Sequence, residues 1–149
     1  MEELSIELPI DEEGFVLLQC NLCGEYFKMK AEDLEAEENI NIWCPYCGLK
    51  SDNYIPEEVK EMAIKKAINQ VNNMIYNSFK DLERNTRNNR SCRIKSGKKP
   101  REEEIHPIKV KINKLEDKEY KCCKKKVKVK PLLIETGSYC PFCGGRYDE

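Results

Sequence analysis

The 149-residue sequence has a single histidine, His106, and no apolar run that approaches the length of a membrane-spanning helix. The carboxylates occur as runs without a histidine nearby, so no catalytic triad or acid–base pair can be assembled, and we expect a protein that is not an enzyme and has no small-molecule substrate. The acidic start, Met-Glu-Glu-Leu, lacks the basic residues and apolar stretch of a signal peptide. These absences favour a cytoplasmic protein without a membrane partner.

Apolar residues are also scarce for a chain of this length. They make up 40% of the sequence against 36% charged residues, and the mean hydropathy is -0.72. This composition is too polar for one large core and is typical of small modules stabilised by a structural metal. Nine cysteines in a reducing cytosol indicate zinc-bound thiolates rather than disulfides.

Two cysteine pairs define the first candidate site, Cys20-Asn-Leu-Cys23 and Cys44-Pro-Tyr-Cys47, each followed by a glycine. A Cys-x-x-Cys turn directs two sulfurs at one point, and the glycine supplies a backbone conformation that other residues resist. Four thiolates at this spacing are the ligand set of a tetrahedral structural zinc. The sequence therefore predicts one zinc ion on these four cysteines.

Residues 15–50 resemble a zinc ribbon, the small three-stranded sheet with two knuckles found in transcription factors and polymerase subunits. As a whole, the chain resembles bacterial proteins that contain a transcription-factor-IIB-type zinc ribbon. The resemblance implies a zinc-held sheet whose ligands are the four cysteines. From its place just before Cys44, we also expect Trp43, the only tryptophan, to cover the metal site. The resemblance does not by itself assign a role in transcription.

The C-terminal Cys140-Pro-Phe-Cys143, again followed by glycine, repeats the second knuckle. Aligning Cys23 with Cys123 places residues 27–30 on 127–130 and residues 44–48 on 140–144, which predicts an internal repeat of the ribbon.

The repeat is imperfect at one position. Tyr120 occupies the position that matches Cys20, and the two thiols of this knuckle are adjacent, at Cys122 and Cys123. Neighbours on an extended chain point to opposite sides, so both reach one metal only if the backbone turns there. Otherwise one is a bystander and another group, such as His106, completes the site. We expect the four-cysteine set and a second zinc ion, on Cys122, Cys123, Cys140 and Cys143.

The apolar patterns predict short strands around these knuckles, with a loop or single helical turn over residues 31–39. The expected strand segments are two within residues 4–19 joined by a turn at 11–14, then 25–30, 40–43, 108–112, 119–123 and 127–129.

A long amphipathic helix is predicted after Pro56, with Glu57 and Glu58 at its positive N-terminus. Apolar residues recur at threes and fours without glycine or proline for about 30 residues, or roughly 45 Å. A small ribbon cannot cover that length. Either the helix folds back on both ribbons, or residues 56–88 bind a second copy of the chain or another protein.

Charge is distributed unevenly. Residues 1–60 carry 15 acidic and 4 basic side chains, whereas residues 84–101 carry eight basic ones and no acidic one. Basic runs beside ribbons can neutralise the phosphates of DNA or RNA. The candidate contacts are Arg84, Arg87, Arg90, Arg93, Lys95, Lys98 and Lys99, together with Lys124, Lys125 and Lys126 of the second ribbon.

The basic side chains also fit three roles that involve no nucleic acid. The run can be a solvated linker, or it can dock the acidic first sixty residues. The lysines of the second ribbon can balance the -2 charge of a zinc bound by four thiolates. No aromatic residue interleaves the run to stack on bases. Cys92, inside it, is expected to be a surface thiol.

The expected fold class is α+β, with two small antiparallel-β zinc ribbons joined by a long amphipathic α-helix and a basic linker. The expected segments are an N-terminal zinc ribbon over residues 1–53, the helix over 54–90, a basic flexible linker over 91–104 and a C-terminal ribbon-like module over 105–149. The favoured function is a non-catalytic zinc-binding protein that binds nucleic acid, or acts as a regulatory module, through its basic half. A protein adaptor that uses the helix is the alternative, and a Cys-x-x-Cys dithiol oxidoreductase is a remote one.

Overall fold

In the computed structural model the protein has an α+β fold. The structure describes residue 3 and residues 5–38, 41–106 and 114–147. The chain divides into two compact units: a ribbon unit within residues 7–59 and 108–149, and a helical unit within residues 1–6 and 60–107.

The ribbon unit contains two β-hairpins of the same register. Strand β1 (Phe15–Gln19) pairs with β2 (Tyr26–Lys30), and β3 (Glu116–Tyr120) pairs with β4 (Lys125–Val129). Leu18 faces Phe27 in the first hairpin, and Lys118 faces Val127 in the second, a shift of 100 residues in both strands. A short helix follows each hairpin, α1 (Ala31–Glu35) and α3 (Pro131–Thr136). The β-β-α order therefore occurs twice. The aligned cysteines predict a repeat of the ribbon, but they do not predict α3.

The hairpins join through their inner strands into one sheet of order β1-β2-β4-β3. Strands β2 and β4 are antiparallel, and Lys28 faces Lys128. These lysines occupy the same position in the two repeats, so an approximate twofold axis passes between them. The sequence suggests two modules joined by a helix, whereas the structure merges their hairpins. The physical reason is that each hairpin has an open edge, and the two edges supply each other's backbone hydrogen bonds.

Strict alternation in the inner strands builds the core of this sheet. Phe27 and Met29 of β2, with Val127 and Val129 of β4, are completely buried, while the lysines between them lie on the other face. Burying each of these side chains contributes roughly 1.5–3 kcal/mol. Removal of this much apolar surface from water is what joins the two hairpins.

The second knuckles lie on shorter pairings. Strand β5 (Ser138–Tyr139) pairs with β6 (Arg146–Tyr147), and the matching region of the first ribbon is a single bridge between Trp43 and Lys50. The backbone N–H of Trp43 donates to the Pro141 carbonyl at 3.0 Å, and that of Tyr139 donates to the Pro45 carbonyl at 3.0 Å. These two reciprocal bonds tie each second knuckle to the other ribbon.

The long helix, α2 (Glu57–Thr86), has 30 residues and lies inside the predicted segment, residues 54–90, ending three and four residues short of its bounds. Residues 91–106 contain neither helix nor strand, yet they run back along α2. Asn69 donates to the Glu103 carbonyl at 3.0 Å and accepts from its N–H at 2.8 Å, and the Ile94 N–H donates to Thr86 Oγ1 at 3.1 Å. Side-chain hydrogen bonds thus hold the segment that the sequence suggests is a flexible linker.

Some of the predicted strands are shorter in the structure or cannot be compared. Within residues 5–10 only Ile10 forms a bridge, to Val16, and Leu4 lies outside the described residues. The same holds for Ile40 and for the strand predicted over residues 108–112. In the described ranges, no helix combines the length and apolar character that crossing a membrane requires.

Candidate metal centres

Two knuckles of the same geometry form the first centre. In one, the Cys20 N–H donates to the Glu25 carbonyl and the Gly24 N–H to the Cys20 carbonyl, both at 2.9 Å. In the other, the Cys44 N–H donates to the Leu49 carbonyl at 3.0 Å and the Gly48 N–H donates to the Cys44 carbonyl at 2.9 Å. Each turn closes through its glycine, which has a φ of +75° in the first knuckle and +70° in the second. The Cys-x-x-Cys-Gly pattern thus folds locally into a turn that presents two sulfurs.

The four sulfurs of these knuckles form a compact group. Cys20 Sγ lies 3.8 Å from Cys47 Sγ, Cys23 Sγ lies 3.6 Å from Cys44 Sγ, and all four lie within 4.8 Å of one another. Sulfurs at the corners of a tetrahedron around zinc, each about 2.3 Å from the metal, are about 3.8 Å apart. A disulfide would require about 2.05 Å. The group therefore fits a four-thiolate metal ion.

Burial and hydrogen bonding act differently on the four thiols. Burial strongly raises the pKa of Cys44, which has no exposed surface. Burial also opposes ionisation of Cys20, but hydrogen bonds from the N–H groups of Cys23 and Leu22 outweigh it and lower the pKa of that thiol. A cation at the centre would favour the thiolate form of the whole group.

The second centre brings together the adjacent thiols and the C-terminal knuckle. The sulfurs of Cys122, Cys123, Cys140 and Cys143 all lie within 4.8 Å of one another. Cys122 Sγ is 3.6 Å from Cys143 Sγ, the same separation as in the first centre. His106 belongs to neither sulfur group and is exposed beside Glu104. The described residues thus favour four cysteines over a histidine ligand.

A backbone turn allows neighbouring thiols to converge. Lys124 has a φ of +54°, and its N–H donates to the Tyr120 carbonyl at 2.7 Å. Gly24 makes the matching bond in the first ribbon, so the knuckle persists although its glycine is replaced by lysine. Tyr120 fills the core at the position of the absent cysteine, and its hydroxyl lies 2.8 Å from Ser138 Oγ.

The adjacent thiols differ in acidity. Burial, together with the negative charge of Cys122, raises the pKa of Cys123 to about 11. For Cys122, hydrogen bonds from Tyr147 and the neighbouring thiols outweigh burial and lower the pKa. Cys122 and Cys143 are exposed, so the second centre is more open than the first.

Aromatic side chains link the two centres. Trp43 lies against Gly144 of the opposite ribbon, and Tyr139 lies against Gly48. The sequence predicts Trp43 over its own site. In the structure that side chain packs on Gly144, in the knuckle of the second centre. This packing, in which a ring of each ribbon lies on a glycine of the other, depends on the twofold arrangement. The sequence indicates that arrangement only through the repeat itself.

Part of the predicted basic surface forms a cleft at the end of α2. The cleft has a volume of about 720 Å³, and its lining includes Arg84, Arg87, Arg93 and Lys95. Lys80 adds a fifth positive charge, and Glu83 is the one acidic residue of the lining. We refer to this site as the basic cleft.

The remaining candidate contacts lie outside the cleft. Arg90 and Lys98 are exposed and do not line it, while Lys99 pairs with Glu102 at 3.1 Å. Of the ribbon lysines, Lys124 forms the turn described above and Lys126 is exposed on β4.

Lys125 is held within the ribbon unit. It lies 3.4 Å from Asp33, and its ammonium group is 4.8 Å from the centre of the Phe142 ring. Cys92, the ninth cysteine, is exposed and belongs to neither sulfur group.

Comparison of the chain with protein-family models, with curated proteins and with solved structures finds no match in any of the three.

Proposed function

We propose that the chain is a non-catalytic zinc protein that binds the phosphate backbone of DNA or RNA through its basic cleft. The observation that carries the metal part is the convergence of two separate sets of four sulfurs, each within 4.8 Å. Zinc held by four thiolates has no open coordination position, and its role is then to stabilise the fold. Each Cys-x-x-Cys pair is one half of such a group, which favours a metal centre over a two-cysteine redox site.

The nucleic-acid part draws its support from the charge of the basic cleft. Five cationic side chains and one carboxylate line it, and the exposed ends of the arginines face solvent. Arginine forks match phosphate oxygens well. Because no aromatic side chain lines the cleft, we expect contacts to the backbone rather than stacking on bases. Binding of this kind depends strongly on salt and weakly on sequence.

Metal analysis tests the two centres. Protein purified in reductant with zinc should retain two zinc ions per chain, and Cys47→Ser and Cys143→Ser should each retain one. Cys92→Ser, which removes a cysteine outside both groups, should retain two. One zinc ion in the unaltered protein would contradict the second centre.

A salt titration tests the basic cleft separately. Fluorescence anisotropy with a labelled duplex or single strand should show an affinity that falls as salt rises. Arg87→Ala should weaken binding about three- to tenfold near 0.1 M salt and reduce the salt slope by about 1. Lys98→Ala removes a charge from the same run outside the cleft and should have a smaller effect. Absence of binding at low salt, with both zinc ions in place, would refute this part of the proposal alone.

A further inference from the structure

An unusually large apolar surface lies on α2. Seven large apolar side chains of this helix are between 43% and 59% exposed: Ile64, Ile68, Val71, Met74, Ile75, Phe79 and Leu82. With about 200 Å² for a whole residue of this size, these residues expose roughly 700 Å². The largest apolar patch of a typical monomer is about 300–600 Å². We call these seven residues the α2 seam.

The spacing of the α2 seam is that of a coiled coil. Intervals of four and three residues alternate along the helix through Ile64, Ile68, Val71, Ile75, Ser78 and Leu82. Met74 and Phe79 lie beside this line and widen it. A mean period of 3.5 residues keeps such a line facing its partner only when two helices wind around each other. A flat sheet or an irregular surface does not require this regularity.

The chain itself occupies a different face of α2. Residues 91–106 contact this helix through hydrogen bonds to Asn69, Asn73, Glu83 and Thr86, none of which is among the seven seam residues, although Thr86 lies one step beyond Leu82 on the same line. Asn73 Nδ2 donates to Glu102 Oε1 at 3.3 Å, four residues beyond the Asn69 bonds. The returning segment therefore covers the polar side and leaves the seam exposed.

We infer that the α2 seam binds the α2 seam of a second copy of this chain. Two copies offer each other the same line of side chains, as a twofold contact requires. The seam area of roughly 700 Å² is close to the ~800 Å² that each partner buries in a standard stable interface. The 4-3 spacing makes another helix of the same spacing the partner that fits, and a second copy supplies one.

Sedimentation equilibrium of the full-length, zinc-loaded protein tests the pairing. The Cys92→Ser background and a reductant prevent a disulfide between exposed thiols from imitating a dimer. We expect dimers at about 10 μM. Ile75→Lys places a charge in the seam and should raise the dissociation constant at least about tenfold. Asn77→Lys adds the same charge two residues further along α2, at an exposed position outside the seam, and should change the constant less than about threefold.

Circular dichroism and zinc content should be the same for both lysine variants, since Ile75 and Asn77 are both exposed in the single chain. A monomer at about 100 μM would overturn the inference. So would equal dimerisation of both variants. A monomer in which Ile75→Lys alone increases hydrogen exchange in α2 would show that another part of the same chain covers the seam, and it too would refute the pairing of copies.

Discussion

Substitution of Gly144 by alanine should destabilise the paired ribbons more than the same change at Gly24. Both glycines have a left-handed backbone conformation, with φ of +74° and +75°, so the backbone strain of an alanine is similar at the two positions. Of these two glycines, only Gly144 lies under a ring of the other ribbon. A Cβ there would be 2.9 Å from Trp43 Nε1, whereas one at Gly24 would meet nothing within 4 Å.

The expected magnitudes follow from this difference. Left-handed strain costs about 1–2 kcal/mol for a residue with a Cβ. Overpacking adds about 1–3 kcal/mol, because the Trp43 ring must shift out of contact. We therefore expect the free energy of unfolding to fall by about 1 kcal/mol for Gly24→Ala and by about 3 kcal/mol for Gly144→Ala.

Urea unfolding at a fixed, saturating zinc concentration measures both changes. Trp43 is the single tryptophan, so its emission reports the packing at Gly144 without a label. Gly144→Ala should alter the emission of the folded state, and Gly24→Ala should leave it unchanged. Circular dichroism follows unfolding independently of the ring.

A double substitution isolates the contact. In a Trp43→Leu background the extra cost of Gly144→Ala should shrink to that of Gly24→Ala, because the atoms that clash are gone. Equal costs at the two glycines in the presence of Trp43 would refute the packing of one ribbon's ring on the other's knuckle. So would an extra cost that persists without the ring.

Two further outcomes are expected. Asp11→Asn should lower the free energy of unfolding by about 2 kcal/mol, because this carboxylate accepts charged hydrogen bonds from Lys28 at 3.3 Å and Lys128 at 3.2 Å. Urea unfolding measures the change, with the exposed Glu12→Gln as the control. Equal effects of the two substitutions would contradict the stabilisation of the lysine pair by Asp11. The apparent zinc affinity should fall as pH falls, by at least about tenfold per unit at each centre, because burial raises the pKa of Cys44 and Cys140 and each must lose a proton on binding. Competition with a chromophoric chelator across about pH 6–8 tests this, and an affinity independent of pH would contradict it.

The cysteine groups could be predicted from sequence because their chemistry is local. A Cys-x-x-Cys-Gly segment folds into its turn through bonds within six residues, such as Cys20 to Glu25. The second centre follows the same rule despite its changed spacing, since the turn at Lys124 replaces that at Gly24. Helix α2 could be predicted for the same reason, because the period of its apolar residues is a property of one continuous segment.

The joining of the ribbons could not be predicted in this way. Lys28 faces Lys128, a pairing of like charges that strand preferences disfavour. It is tolerated because Asp11, from the turn before β1, binds both ammonium groups. No pattern within either strand indicates that a third segment compensates the pair.

The basic cleft could not be predicted for a related reason. Its residues all lie within residues 80–95, but the cleft exists because the chain turns back beyond α2 and is held there by Thr86 and Glu83. Single side-chain hydrogen bonds of this type have no periodic signature. The composition of residues 80–95 therefore predicts the positive charge of this surface but not that the surface is concave.

The pairing of β2 with β4 also has a consequence for synthesis of the chain. Lys28 and Lys128 face each other although 100 residues separate them. At about 5–20 residues per second, the first hairpin waits roughly 5–20 seconds on the ribosome before its partner strand is made. During that interval the edge of β2 is open to foreign strands. Neighbouring nascent chains on one messenger RNA would then be most prone to pair their strands wrongly during the interval after β2 has been made and before β4 has been made.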